Sequence, residues 1–129
     1  MMRRRTLPFL LLLAGTSFLL AGCLFKFGDI DSVKQADELA IACKTDEALA
    51  AAARASQGGG LGGGLAGLQR VTFLRDAGRM TEADVAMKER NERWKADAKN
   101  MADAETAVAK SIELLRAERL KRTGKATCN

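Results

Sequence analysis

The feature that most restricts the fold of this chain is its start, which separates the first 22 of 129 residues from the part that folds. Three arginines at positions 3–5 precede an apolar run, Leu7–Leu20, and the small residues Ala21 and Gly22 lead to Cys23. The run has 14 positions, whereas a bilayer-spanning helix needs roughly 20. This order of charged, apolar and small segments is typical of a cleaved targeting signal.

The tetrad Leu20-Ala21-Gly22-Cys23 resembles the lipobox of bacterial lipoproteins. The resemblance implies cleavage between Gly22 and Cys23, with a diacylglyceryl group on the Cys23 sulfur and a third acyl chain on the new amine. Stable anchoring requires more than one chain, so the modification would suffice. In the Gram-negative lipoproteins that the chain resembles, an aspartate at the second mature position marks retention at the inner membrane. This chain has Leu24 there, so the resemblance implies the outer membrane, facing the periplasm. An ordinary secretory signal and an uncleaved membrane helix are the alternatives.

These boundaries predict a signal peptide at 1–22, a lipidated tether at 23–31 and a helical periplasmic domain at 32–129. The 107 residues left after cleavage are enough for one small domain. The signal contains three of the 21 basic residues, so 18 remain against 16 acidic ones. Because positive and negative charges alternate, the sequence lacks the clustered basic face that nucleic-acid binding requires.

Two cysteines remain once Cys23 carries lipid, namely Cys43 and Cys128. An even pair in an exported chain predicts a disulfide, and closing a loop of this length contributes roughly 4–5 kcal/mol in the chain-entropy view. Free or intermolecular thiols are the alternative. The chain contains no histidine, so we predict no metal site and no cofactor.

The remaining sequence predicts an all-α domain, a small bundle of three to four helices. Ser32 and Gln35 have capping-box spacing, and an alanine-rich helix is expected from Ser32 to about Gln57, with a potential interruption at 44–47. A short helix follows to Asp76. Gly78 is a suitable residue for its C-terminal cap.

Residues 58–67 contain seven glycines and predict a flexible connector. Matches to the dinucleotide fingerprint, such as Gly58-x-Gly60-x-x-Gly63, follow a helical segment rather than the strand which that motif needs. Gly59, Gly63 and Gly67 have the spacing of close-packed membrane helices. The stretch between the flanking arginines is too short to span a bilayer, so the connector is favoured.

The C-terminal third begins with Thr81 as the expected N-cap and with Met80 and Val85 placed as a hydrophobic staple. One apolar stripe then continues almost to Arg122, and Trp94 on it is expected in the core. A single helix over 82–122 would be ~60 Å long and would carry Cys128 far from Cys43. We therefore favour a break near Asn100, although the continuous stripe favours an unbroken helix.

The segment Leu74–Ala83, with its Gly-Arg and Glu-Ala pairs, resembles the inter-helix turn of a tetratricopeptide repeat. The resemblance covers one turn, no second copy is visible, and it implies a helical hairpin.

The sequence offers few candidates for a catalytic base or an activated nucleophile, because the chain has neither histidine nor tyrosine. Glu105 and Arg90 are the only charged residues on the apolar stripe, and a helix-edge position is expected for both.

These observations predict a lipid-anchored outer-membrane lipoprotein whose non-catalytic helical domain binds a periplasmic or outer-membrane protein or has a structural role. A narrower alternative is a secretion-system pilotin, which is similar in size, anchor and helix content. A third hypothesis, motivated by the glycine tract and by Phe25 and Phe27, is a membrane-active lysis or exclusion lipoprotein.

Overall fold

The computed structural model describes residues 30–129, and every regular element in that range is an α-helix. The predicted lipidation and cleavage residues, Cys23 and Gly22, lie outside the described residues. The all-α prediction is confirmed for the described part. The expected number of three to four helices is wrong, because residues 30–129 alone contain five: α1 (30–41), α2 (Thr45–Gln57), α3 (Gly60–Asp76), α4 (Met80–Arg93) and α5 (Ala98–Thr123).

The predicted interruption of the first helical segment is present, at residues 42–44. Cys43 has a positive φ of 60°, and the Lys44 amide donates to the Leu39 carbonyl at 2.9 Å, which closes α1 before α2 starts at Thr45. The predicted capping box at Ser32 is wrong, because residues 30 and 31 are already helical.

The glycine tract is not the flexible connector that its composition predicts, since all but its first two residues belong to α3. A β-carbon on Gly63 would overlap the carbonyl oxygen of Gly58, and one on Gly64 would lie 3.3 Å from the Trp94 ring. Glycine is intrinsically a poor helix former. Here the absence of side chains lets α3 pack closely against Gly58 and the Trp94 ring, and this packing stabilises the helix.

The two core clusters share α3, which packs against α2, α4 and α5. Phe73 belongs to a cluster with Leu115 and the alanines of α1 and α2. Val71 and Leu74 belong to a second cluster with residues of α4 and α5. Most buried side chains in α1 and α2 are alanine, so these helices can approach closely, and α3 is the central helix of the domain.

The hairpin expected around Leu74–Ala83 is formed by α3 and α4. Gly78 has the left-handed conformation, with φ 76°, and the Arg79 amide donates to the Leu74 carbonyl at 2.8 Å. The predicted Thr81 cap is wrong: α4 starts at Met80, and its N-cap Arg79 provides no side-chain hydrogen bond.

The last segment is broken, as the disulfide geometry predicted, but the break precedes Asn100. The helix α4 ends at Arg93, and α5 starts after Asp97, whose Oδ1 accepts the Asn100 amide at 2.8 Å. The prediction of a core Trp94 is wrong, because this residue lies in the turn with 48% of its surface exposed. The apolar periodicity continues through the turn between α4 and α5, so the sequence pattern did not indicate where α4 ends.

The predicted Cys43–Cys128 disulfide is present, with its α-carbons 5.5 Å apart and a sequence separation of 85 residues. Next to it, Arg119 is only 1% exposed. Its guanidinium donates to the Ala40 carbonyl at 2.9 Å, to Asp76 Oδ2 at 2.8 Å and to the Ala126 carbonyl at 2.8 Å. One side chain thus joins α1, α3 and the C-terminal tail, a role that the sequence pattern did not indicate.

Candidate functional site

An open groove of about 410 Å³ runs between α1 and α5, and α3 forms its floor. Leu65 and Leu68 lie on the floor, Val33 lines it from α1, and Leu114 lines it from α5. Leu65 is 45% exposed and Leu114 is 59% exposed. We call this surface the apolar groove.

The floor of the apolar groove follows from the spacing of apolar residues in α3. Leu65, Leu68 and Thr72 recur at intervals of three and four, so they lie on one helical face. Phe73, the next residue, is also part of the lining and is buried in the core. The groove is therefore a surface continuation of the hydrophobic core.

A polar pair inside the groove joins its floor to one wall. The Gln69 amide nitrogen donates to the Val33 carbonyl at 2.7 Å and to Asp37 Oδ1 at 2.8 Å. Burial raises the pKa of the Asp37 carboxyl, and the hydrogen bond from Gln69 opposes that shift in part. The amide oxygen Oε1 of Gln69 is buried and has no hydrogen-bond partner among the described residues.

The charged residues that line the groove are both acidic, Asp37 and Glu118. Glu118 accepts a hydrogen bond from Arg122 at 2.7 Å, and that bond lowers the pKa of its carboxyl. No basic residue of the described chain belongs to the lining. The groove therefore combines an apolar floor with an acidic edge, a surface that fits apolar side chains accompanied by a cation.

A second exposed apolar surface lies at the N-terminal end of α3. It consists of Leu61, Leu65 and Trp94, and the indole lies against Gly64. Leu61 is 80% exposed, so this surface, which we call the Trp94 patch, is open to solvent. It meets the apolar groove at Leu65.

The charged residues that the sequence singled out do not form a reactive site. Glu105 pairs with Arg75 at 2.6 Å, and the hydrogen bond in that pair lowers the pKa of its carboxyl. Arg90 donates to the side-chain oxygen of Asn91 at 2.9 Å. Residues 30–129 contain no group of three or more histidine, cysteine or acidic side chains arranged to hold a metal ion.

Sequence reasoning missed the apolar groove, although one signal was available. The leucines at positions 61, 65 and 68 keep helical spacing inside the glycine tract, which a flexible connector would not require. The Gln69–Asp37 pair had no comparable signal, because it depends on how α1 packs against α3.

Comparison with known proteins adds no relative. No known protein family matches the chain, and neither a curated protein nor a solved structure is significantly similar to it.

In residues 30–129 no helix is both long enough and apolar enough to cross a bilayer.

Proposed function

We propose that this chain is a lipid-anchored lipoprotein of the outer membrane, facing the periplasm, whose non-catalytic helical domain binds another protein through the apolar groove. The observation that carries the binding role is the groove itself, which exposes Leu65 and Leu114 beside a half-buried carboxyl. The anchoring role rests on the lipobox-like tetrad ending at Cys23.

The partner that fits the groove best is an amphipathic helix. Helices bind in apolar grooves through residues spaced three and four apart, and the groove presents an apolar floor between two helical walls. A lysine or arginine beside the apolar stripe of the partner would face Asp37, because Glu118 is already paired with Arg122. Apolar burial would supply affinity, and charge complementarity would supply orientation.

The two narrower hypotheses receive different support. A pilotin-like role is a special case of helix binding near the outer membrane, and the disulfide and helix content are compatible with it. A membrane-active role was suggested by the glycine tract. Gly62 and Gly63 are buried within α3, so the tract gives that hypothesis no support.

The anchor is tested by radioactive palmitate labelling of cells that express the wild type or Cys23→Ser. We expect label in the wild type and none in the variant, which should also keep its signal peptide. Cys43→Ser is the matched control, because it removes a different cysteine and should label normally. Equal labelling of wild type and Cys23→Ser would refute the lipoprotein assignment.

The groove is tested by placing a photo-crosslinking amino acid at Leu114 or, as a matched control, at Leu120. Both leucines are exposed on α5, but only Leu114 lines the groove. We expect a specific crosslinked protein from position 114 and none from position 120. Crosslinks from neither position, or equally from both, would count against the groove as the binding surface.

A further inference from the structure

The Trp94 patch lies at the end of the bundle where the chain enters α1. Gln69 of α3 contacts Val33 near the start of α1, and Ile41 at the end of α1 shares a core cluster with Phe73, one turn further along α3. The two helices therefore run in the same direction. The exposed Ile30 lies beyond Val33, toward the end of α3 that carries Leu61.

Basic side chains without acidic partners border this patch. Arg90 lines the same depression as Trp94, and Arg93 lies with both of them along the adjoining depression at Gly63. Neither arginine forms an ion pair with a carboxylate of residues 30–129, and Arg93 donates instead to the Ser56 carbonyl at 2.8 Å.

The nearest acidic residues on α4 are already paired with other cations. Glu89 pairs with Arg70 at 3.4 Å, and Glu92 pairs with Lys88 at 3.9 Å. The border of the Trp94 patch consequently has an excess of positive charge.

We propose that the Trp94 patch is a membrane-contact surface, which places Leu61 and Trp94 among the headgroups of an anionic phospholipid bilayer. The proposal rests on the proposed lipid anchor for its orientation, because residue 30 is only seven positions after Cys23. At that distance the anchor holds this end of the domain, rather than the opposite end with the disulfide, close to the bilayer.

The composition of the patch fits a lipid surface. Tryptophan has an apolar body and a polar N–H group, and it is enriched at membrane interfaces. Lysine and arginine beside buried apolar residues attract anionic lipids and place their charges at headgroup level. A bilayer thus provides an apolar environment for the leucines, an interface for the indole and anionic headgroups for the unpaired cations.

Trp94 is the only tryptophan of the chain, so its fluorescence reports on the patch directly. The full lipidated protein is reconstituted into vesicles of phosphatidylethanolamine and phosphatidylglycerol that carry brominated acyl chains. We expect a blue-shifted emission that the brominated lipid quenches. Emission that the lipid leaves unchanged and that aqueous acrylamide quenches would overturn the proposal.

Two variants refine this test. Leu61→Ser should reduce quenching, whereas Leu120→Ser, a matched exposed leucine outside the patch, should leave it unchanged. Arg93→Gln should lower the ratio of membrane-contacting to free domain about five-fold in anionic vesicles and have little effect in phosphatidylcholine vesicles. Thermal unfolding by circular dichroism is measured for each variant, and the comparison uses those that melt like the wild type.

Palmitate labelling of the same preparations separates this proposal from the anchor. Labelled protein with unquenched Trp94 would overturn the membrane-contact surface and leave the anchor intact. Quenched Trp94 in unlabelled protein would support the surface while refuting the anchor. A photo-crosslinker at Leu61 that captures a protein instead of lipid would also overturn the proposal.

Discussion

At the scale of single residues, the glycines of α3 differ in what their missing side chains allow. Gly63 lies against the carbonyl oxygen of Gly58, a backbone atom that cannot move away cheaply. Gly67 faces only the Cγ atom of Arg90, 3.4 Å from the position of an added β-carbon, and a flexible side chain can adjust. Identical residues in one tract therefore have different structural importance.

This difference predicts opposite effects of one substitution. Gly63→Ala should destabilise the domain by about 1–3 kcal/mol, the usual range for overpacking. Gly67→Ala should be neutral or should stabilise it by about 0.5–1 kcal/mol, because alanine is the better helix former. Urea unfolding followed by circular dichroism measures both, and equal effects would contradict this account of the tract.

A second residue-scale prediction concerns Asp37. Because burial raises the pKa of its carboxyl above the ordinary 3.8, the folded state holds this proton more tightly than the unfolded state. The associated stability is present below pH 3.8 and is lost as pH rises through the folded-state pKa. Asp37→Asn should therefore be more stable than the wild type at pH 7, and the difference should shrink as pH falls through the folded-state pKa toward 3.8.

Urea unfolding of both proteins across this pH range measures the effect of Asp37→Asn. The asparagine side chain keeps an oxygen that can accept the Gln69 hydrogen bond, so the comparison isolates the charge. A wild type that is more stable than the variant at pH 7 would contradict the direction of the shift.

At the scale of elements, the boundary between α4 and α5 is determined by local backbone chemistry. Lys95 adopts a positive φ of 48°, and Asp97 then caps α5. The cap satisfies one amide that would otherwise lack a partner at the helix start. This boundary exposes Trp94 and so creates the patch.

Removal of the cap should weaken the start of α5. Asp97→Ala should lower the free energy of unfolding by about 1 kcal/mol. Asp103→Ala is a suitable control, since it removes only an exposed ion pair with Lys99. Such a pair contributes about 0.3–0.5 kcal/mol to stability. Equal losses would indicate that the Asp97 hydrogen bond does not determine where α5 begins.

At the scale of the whole molecule, the chain is closed at one end by the disulfide and by Arg119. Both connect the α1–α2 junction to the C-terminal tail, and Arg119 also reaches the end of α3 through Asp76. Helices that are far apart in sequence are thereby held at the end opposite the Trp94 patch. The apolar groove lies between the two helices that this closure brings together.

Loss of the disulfide should lower stability by roughly 2–5 kcal/mol, measured as a fall in melting temperature. Cys43→Ser, Cys128→Ser and the double variant should show the same loss, because all three remove one bridge. A double variant much less stable than either single variant would mean that each cysteine has a separate role. A free-thiol assay that detects both thiols in the folded wild type would refute the bridge itself.

The helical class, the turn at Gly78 and the pairing of Cys43 with Cys128 could all be predicted from the sequence. Each of these depends on local chemistry: apolar spacing, a glycine with positive φ and an even number of remaining cysteines. The lipobox at Cys23 stays a prediction, because it lies outside the described residues.

The helical glycine tract, the exposure of Trp94 and the burial of Arg119 could not be predicted without the packing of the whole domain. Glycine disfavours a helix locally, and packing against Gly58 and Trp94 overrides that preference. Periodicity reports which residues share a face but not where a helix ends, so it placed Trp94 in the core. The burial of Arg119 depends on three acceptors from distant segments, and no local pattern contains that information.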